Sequence, residues 1–141
     1  VLLDTWRTVF AQALETGWAP SQIVLAGKSM GGRMASLVAD ELGTAGLVCV
    51  GYPFHPPARS ERLRTEHLRN LRTECLICQG ERDPFGTVDE VSAYSLSSAI
   101  TLHWAADGNH DLKPRKASGR THDQNLAEAL GAIGACLETR L

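Results

Sequence analysis

The sequence predicts an α/β protein, a three-layer sandwich of helices on both faces of a mostly parallel sheet with four strands. Three observations carry this. Short apolar runs alternate with amphipathic stretches along the whole chain, the pattern of strand–helix–strand units with right-handed crossovers. The second strand run, Ala45–Tyr52, is apolar on both faces, as a parallel strand covered on both sides must be. Three of the four runs end in a cluster of Gly, Asp, His or Ser, and in open α/β sheets ligands bind at the carboxyl ends of strands.

The elements follow in order. Leu3, Trp6, Phe10 and Leu14 form a helical stripe over Val1–Leu14, with Gly17 as its stop. Pro20-Ser21 leads into a strand at Ile23–Ala26. A helix over Met30–Leu42 carries Met30, Met34, Val38 and Leu42 four apart, a core stripe rather than a cofactor contact, and Gly43 ends it. After Tyr52 comes a proline-dense loop, Pro53-Phe54-His55-Pro56-Pro57. The charged stretch Arg59–Arg72 has only a weak apolar stripe and reads as a surface helix or a helix plus loop. Cys75–Gln79 is the third strand, Val88–Leu96 a short helix and Ile100–Trp104 the fourth strand. The polar, basic run Lys113–Thr121 precedes a last helix from His122 to about Arg140. Its stripe is Leu126, Leu130, Ile133, Leu137 and Leu141.

The bulk properties fit one domain over residues 1–141. The 141 residues are 43% apolar and 21% charged, with a net charge of −2. A chain of this size buries about two-thirds of its unfolded surface. No basic excess points to nucleic acid or an anionic membrane, and no apolar run approaches the roughly 20 residues of a span. Of the four cysteines, Cys75 and Cys78 are spaced C-x-x-C. Residues three apart in a strand face opposite ways, so these thiols do not meet. Without a second such pair or paired His there is no zinc pattern. The cysteines read as small buried hydrophobes in a reducing, cytoplasmic setting.

The chemistry concentrates at Gly27-Lys28-Ser29-Met30-Gly31, a G-x-S-x-G nucleophile elbow between a strand and a helix. The turn is tight enough that side chains two before and two after the Ser are expected to collide, hence glycine at both. The Ser hydroxyl then sits at the helix N-terminus, where the Met30 N–H can meet developing negative charge. A phosphate-binding loop is excluded because its first glycine would fall at Gln22.

A Ser nucleophile needs a base, and the base an orienting acid. Ser29, Asp83 and His110 occur in the order Ser, acid, His. Each follows a strand, and the 27 residues from Asp83 to His110 span one strand–helix–strand unit. Glu81 is an alternative acid; Asp83 is preferred because it opens the loop before Pro84. Asp107 and Asp111 flank His110 and could orient it. His55 is a rival base and the better candidate for a substrate contact. His103 reads as a satisfied core or face histidine, and His67 and His122 as solvated. Lys28 and Arg33 flank the elbow and could attract an acidic substrate, against the plainer readings of a solvated Lys and a structural ion pair.

Gly27–Arg33, Gly80-Glu81-Arg82-Asp83-Pro84 and Asp107-Gly108-Asn109-His110 resemble the α/β-hydrolase superfamily, most closely its small dienelactone-hydrolase-like branch. Gly51-Tyr52-Pro53-Phe54-His55-Pro56 and Ser118-Gly119-Arg120-Thr121 are similar to a subfamily holding a testis-expressed hydrolase-like protein and an acetyltransferase-complex subunit. The resemblance implies Ser29 as nucleophile, Asp83 as acid, His110 as base and a small ester-like substrate. Serine chemistry of this kind needs no cofactor and no metal. Family members carry further strands before the elbow, and a loop among them supplies a second oxyanion-hole N–H. The chain is therefore expected to correspond to the C-terminal part of the fold. A preceding segment or a homodimer partner is expected to cover the first strand's edge. A non-catalytic interaction module that keeps the fold is the alternative to an enzyme.

Overall fold

The computed structural model describes residues 1–139; the expected helix end at Arg140 and the stripe member Leu141 lie outside them. Four strands, β1 (Val24–Lys28), β2 (Gly46–Val50), β3 (Cys75–Gly80) and β4 (Ile100–Ala105), form one sheet in the order β1-β2-β3-β4. All three pairings are parallel. Helices α1 (Leu2–Glu15), α2 (Met30–Leu42), α3 (Val88–Ser92) and α4 (His122–Glu138) flank it. The α/β sandwich is as the alternation predicts, with β1 running on into Gly27 and Lys28.

Two cores hold the layers. On one face, α1 and α2 pack over Leu25, Leu47, Cys49, Cys75 and Ile77, with Tyr52 and Phe54 completing the cluster. On the other, α4 covers Leu76, Cys78 and Ala105. Cys75 and Cys78 thus lie on opposite faces, and all four cysteines are free. Burial pushes the Cys78 thiol up to about 11. A hydrogen bond with Cys49, and then burial, raise Cys75 further.

The sheet-facing side of α2 differs from the expected Met stripe. Met30 is 55% exposed, and Met34 and Leu42 are half-buried, while Gly32, Ala35, Ser36, Val38 and Ala39 are buried. Small residues let the helix axis approach the strands closely, so the buried face is the one with the least side chain. Gly43 ends α2 in the left-handed conformation, φ 64°.

The buried side of α4 is also rotated from its leucines. Leu126 and Leu130 are exposed, whereas Asn125 and Ala129 are buried. Asn125 sets this rotation: its amide donates to Ala106 O at 2.9 Å and Leu112 O at 2.8 Å. A buried amide must keep such partners.

The stretch Arg59–Arg72 contains no α-helix. It is a loop with a single 3-10 turn at Glu66–Arg69, and it buries Thr65, Leu68 and Leu71. The helix α3 is shorter than expected and begins with a capping box of Thr87 and Glu90. Among the described residues, no helix is long and apolar enough to cross a membrane.

Candidate active site

The strand β1 ends at Lys28 and α2 begins at Met30, so Ser29 alone makes the turn. Its backbone takes φ 51°, ψ −122°, a region that costs a non-glycine residue about 1–3 kcal/mol. The Ser29 N–H donates to Val50 O at 2.9 Å, and Ser29 O accepts the Arg33 N–H at 3.1 Å. The elbow is therefore fastened to both β2 and α2.

The glycines that permit this turn are Gly27 and Gly32. A Cβ on Gly27 would lie 2.4 Å from Gly32 N, and one on Gly32 2.7 Å from Gly27 O. A Cβ on Gly31 would meet nothing within 4 Å. The expectation that the residue two after Ser29 needs glycine is thus corrected. The close approach falls one residue later, where the helix faces the strand end.

His110 reaches Ser29 from the loop after β4. Its Nδ1–H donates to Asp83 Oδ2 at 2.8 Å, which leaves Nε2 to accept the Ser29 Oγ–H at 2.9 Å. Two features hold the imidazole. The Phe85 ring lies against it with centroids 4.4 Å apart. Gly51, at φ 63°, leaves room on another side, where a Cβ would come 2.7 Å from His110 O and 3.2 Å from its Cε1.

Asp83 is fully buried. Burial pushes its carboxyl above the usual range, offset by the Phe85 N–H and His110. The Phe85 N–H donates to Oδ1 at 2.8 Å, and Gln79 Nε2 donates to Oδ2 at 3.0 Å. Gln79 is itself fully buried. It also accepts the Tyr52 N–H at 2.7 Å and reaches Tyr52 O at 3.1 Å and Gly86 O at 3.2 Å. Sequence reading did not single out Gln79. Its signal is a lone amide closing an otherwise apolar strand, four residues before the acid.

The other expected site residues lie differently. His55 is 3% exposed, with Nδ1–H donating to Pro56 O at 2.8 Å and Nε2 2.5 Å from Glu90 Oε2. Both ring nitrogens are committed to the protein, so neither is left for a substrate. The pair latches the proline loop onto α3. Lys28 ion-pairs with Asp111 at 2.7 Å, which holds the Asp111 carboxyl below its ordinary value. The structural ion pair is thus the reading that fits Lys28. Asp107 turns to Arg115, and then to Arg82, and is held down at about 2. It does not orient His110. Glu81 accepts the Asp107 N–H at 2.8 Å.

Two histidines expected in solvent are bonded instead. His122 Nε2 lies 2.9 Å from Asp111 O. His67 Nε2 lies 2.8 Å from Ser36 Oγ, and burial and then Arg33 keep its imidazole below the ordinary value. This second Ser–His contact is a packing feature: Ser36 is 3% exposed in mid-helix and donates to Arg33 O at 2.6 Å. The expected satisfaction of His103 is corrected too, since its Nε2 is buried without a partner. Among the described residues, no group of three His, Cys, Asp or Glu could hold a metal ion.

Ser29, Met30, Arg33, Pro53, Arg64 and Phe85 line a cavity of about 220 Å³. The first-turn N–H groups of α2, starting with Met30, have no partner within the helix and carry its positive end. A hydroxyl bonded to an imidazole, a buried carboxylate behind it and helix donors beside it make an arrangement suited to acyl transfer.

Comparison with known proteins agrees with this architecture. The structure is similar to an alpha-beta serine hydrolase homologue from Coxiella burnetii, with TM-score 0.57 and 23% identity over 73% of this chain and 48% of that one. It is also similar to SOBER1 from Arabidopsis thaliana, in two single-substitution variants. Each gives a TM-score of 0.59 and 13% identity over 98% of this chain and 62% of SOBER1. At such identities the likeness concerns the fold, and the chain spans about half to three-fifths of these proteins. The family profile described as alpha/beta hydrolase domain matches residues 1–138, and the chain belongs to that family.

Proposed function

We propose that this hydrolase-family chain cleaves an ester-type bond through an acyl-enzyme, with Ser29 as nucleophile. The observation that carries this reading is the hydrogen-bonded run Ser29–His110–Asp83 at 2.9 and 2.8 Å. His110 Nε2 takes the Ser29 proton as Oγ attacks the carbonyl carbon. Asp83 holds the tautomer that makes this possible and stabilises the imidazolium that forms. The Met30 N–H donates to the oxyanion. His110 then passes its proton to the leaving alcohol and later activates water to free Ser29.

The elbow and histidine motifs favour the small dienelactone-hydrolase-like branch. Within the sheet, β1 pairs on one side with β2. We assign its other edge to further strands or a second copy, since an open apolar edge invites pairing. A second oxyanion donor would come from that neighbour.

Labelling with a fluorophosphonate probe tests the assignment. The intact protein should be labelled at Ser29. Ser29→Ala should abolish labelling, and His110→Ala should slow it by about 10²–10⁴. Labelling that persists in Ser29→Ala and vanishes in Ser36→Ala would move the nucleophile to the Ser36–His67 pair. Absence of both labelling and ester turnover would leave the non-catalytic module as the reading.

A further inference from the structure

Two arginines line the Ser29 cavity. Arg33 lies one turn along α2 from Ser29, tied to it by the backbone bond at 3.1 Å. Arg64 comes from the loop after β2. Its backbone is clamped, with N–H donating to Phe54 O at 2.7 Å and its carbonyl accepting the Tyr52 hydroxyl at 3.4 Å. Both arginines also border an adjoining cavity of about 480 Å³ that includes Glu66 and His67.

Among the residues lining the Ser29 cavity, these two guanidinium groups carry the charge. Among the described residues, Arg7, Lys28, Arg72, Arg82, Arg115 and Arg120 each ion-pair with a carboxylate. Neither Arg33 nor Arg64 does; Arg59, Arg62, Arg69, Lys113 and Lys116 form no such pair either, but they lie outside the lining of the Ser29 cavity. The Arg33 Nε is moreover buried and has no hydrogen-bond partner. A buried, unpaired guanidinium N–H is costly unless something fills its donor capacity. The planar fork of Arg matches a carboxylate. In a chain of net charge −2, this cleft is a local reversal of sign that would draw an anion inward.

We infer that the substrate carries a carboxylate, held by Arg33 and Arg64 beside the bond that Ser29 attacks. The substrate class is the half-ester of a short dicarboxylic acid. This inference rests on the serine-hydrolase reading for its chemistry. Ser29 Oγ bonds to the carbonyl carbon and the carbon–oxygen bond to the alcohol breaks. The Ser29 proton passes through His110 to the alcohol oxygen. Water then cleaves the acyl-enzyme and the dicarboxylate leaves. The free carboxylate stays on the arginines throughout, so its binding serves orientation.

Calorimetric titration of the intact Ser29→Ala protein with monomethyl succinate and methyl butyrate tests the anion site apart from the chemistry. Monomethyl succinate should bind at least tenfold tighter, less so as salt rises, and Arg33→Gln and Arg64→Gln should each remove at least tenfold of that preference. In the protein with Ser29 present, the kcat/KM ratio of the two esters should favour monomethyl succinate. It should fall at least tenfold in Arg33→Gln, through KM, and recover in part in Arg33→Lys. Arg64→Gln, on a loop, is the second variant should the helix substitution fail to fold. Equal binding of the two esters, no binding of either, or equal losses on both in the arginine variants would overturn the inference. Discrimination in calorimetry without turnover or labelling would keep the anion site and sink the hydrolase reading.

Discussion

Gln79 and Asp83 form one buried unit: the Gln79 amide donates at 3.0 Å to the same Asp83 oxygen that accepts the His110 N–H at 2.8 Å. Through its contacts with Tyr52 and Gly86, Gln79 ties the acid to the loops after β2 and β3. Replacing it with Leu orphans the Tyr52 amide and should cost about 1–3 kcal/mol in urea unfolding. Gln79→Glu puts a second carboxylate beside Asp83. It should move the acid limb of the labelling rate to higher pH, because like charges favour bound protons. A purely structural Gln79 would leave that limb where it is.

Ser29 holds a backbone conformation that glycine adopts freely. Ser29→Gly should therefore raise stability by about 1 kcal/mol or more while abolishing labelling. Thermal melts of Ser29→Gly and Ser29→Ala side by side check this. An Ala variant as stable as the Gly variant would argue against backbone strain at the elbow.

Neighbouring glycines should respond oppositely. Gly31→Ala meets open space on a helix and should be neutral or stabilising by up to about 1 kcal/mol. Gly32→Ala pushes a methyl into Gly27 O and should cost about 1–3 kcal/mol. Chemical denaturation of the two variants reads the difference directly.

Gly51 keeps space for His110. Gly51→Ala combines a left-handed φ with a contact of 2.7 Å to His110 O. It should cost at least about 1–2 kcal/mol and slow labelling by displacing the imidazole. Normal labelling in a destabilised Gly51→Ala would show that the histidine loop shifts without disturbing its ring.

Asp107 supplies a pH dependence of known sign. Its folded-state value of about 2 lies below the ordinary 3.8. The unfolded chain thus binds a proton first as pH falls. The stabilisation is complete above about pH 4 and is lost as pH drops towards 2. Melting temperatures measured across that window should fall less steeply in Asp107→Asn.

Much of the candidate site was legible from spacing. Ser29, Asp83 and His110 could be named because each follows a strand, and parallel strands deliver their following loops to one edge. His55 misled because proline density and position after β2 describe a loop without saying which way its side chains turn. Its partner Glu90 lies 35 residues on. For Lys28 the sequence offered a substrate contact beside the plainer ion pair without naming the partner. Its charge is visible in sequence, but the Asp111 that neutralises it is brought near only by the sheet.

Local chemistry therefore determined the four strands, the sheet type and the order of the candidate residues, since these depend on periodicity, glycine and chain connectivity. Only the tertiary structure decided the helix faces, the glycine that is pinched, the amide behind Asp83 and the two arginines at the Ser29 cavity. Each of those depends on distances between residues far apart in the chain. Hydrophobic periodicity cannot report them, because a small Ala adds little to an apolar stripe and a buried Asn adds nothing. The elbow was readable as a motif; the charge of the cleft beside it depends on the fold bringing Arg33 and Arg64 to the same cavity.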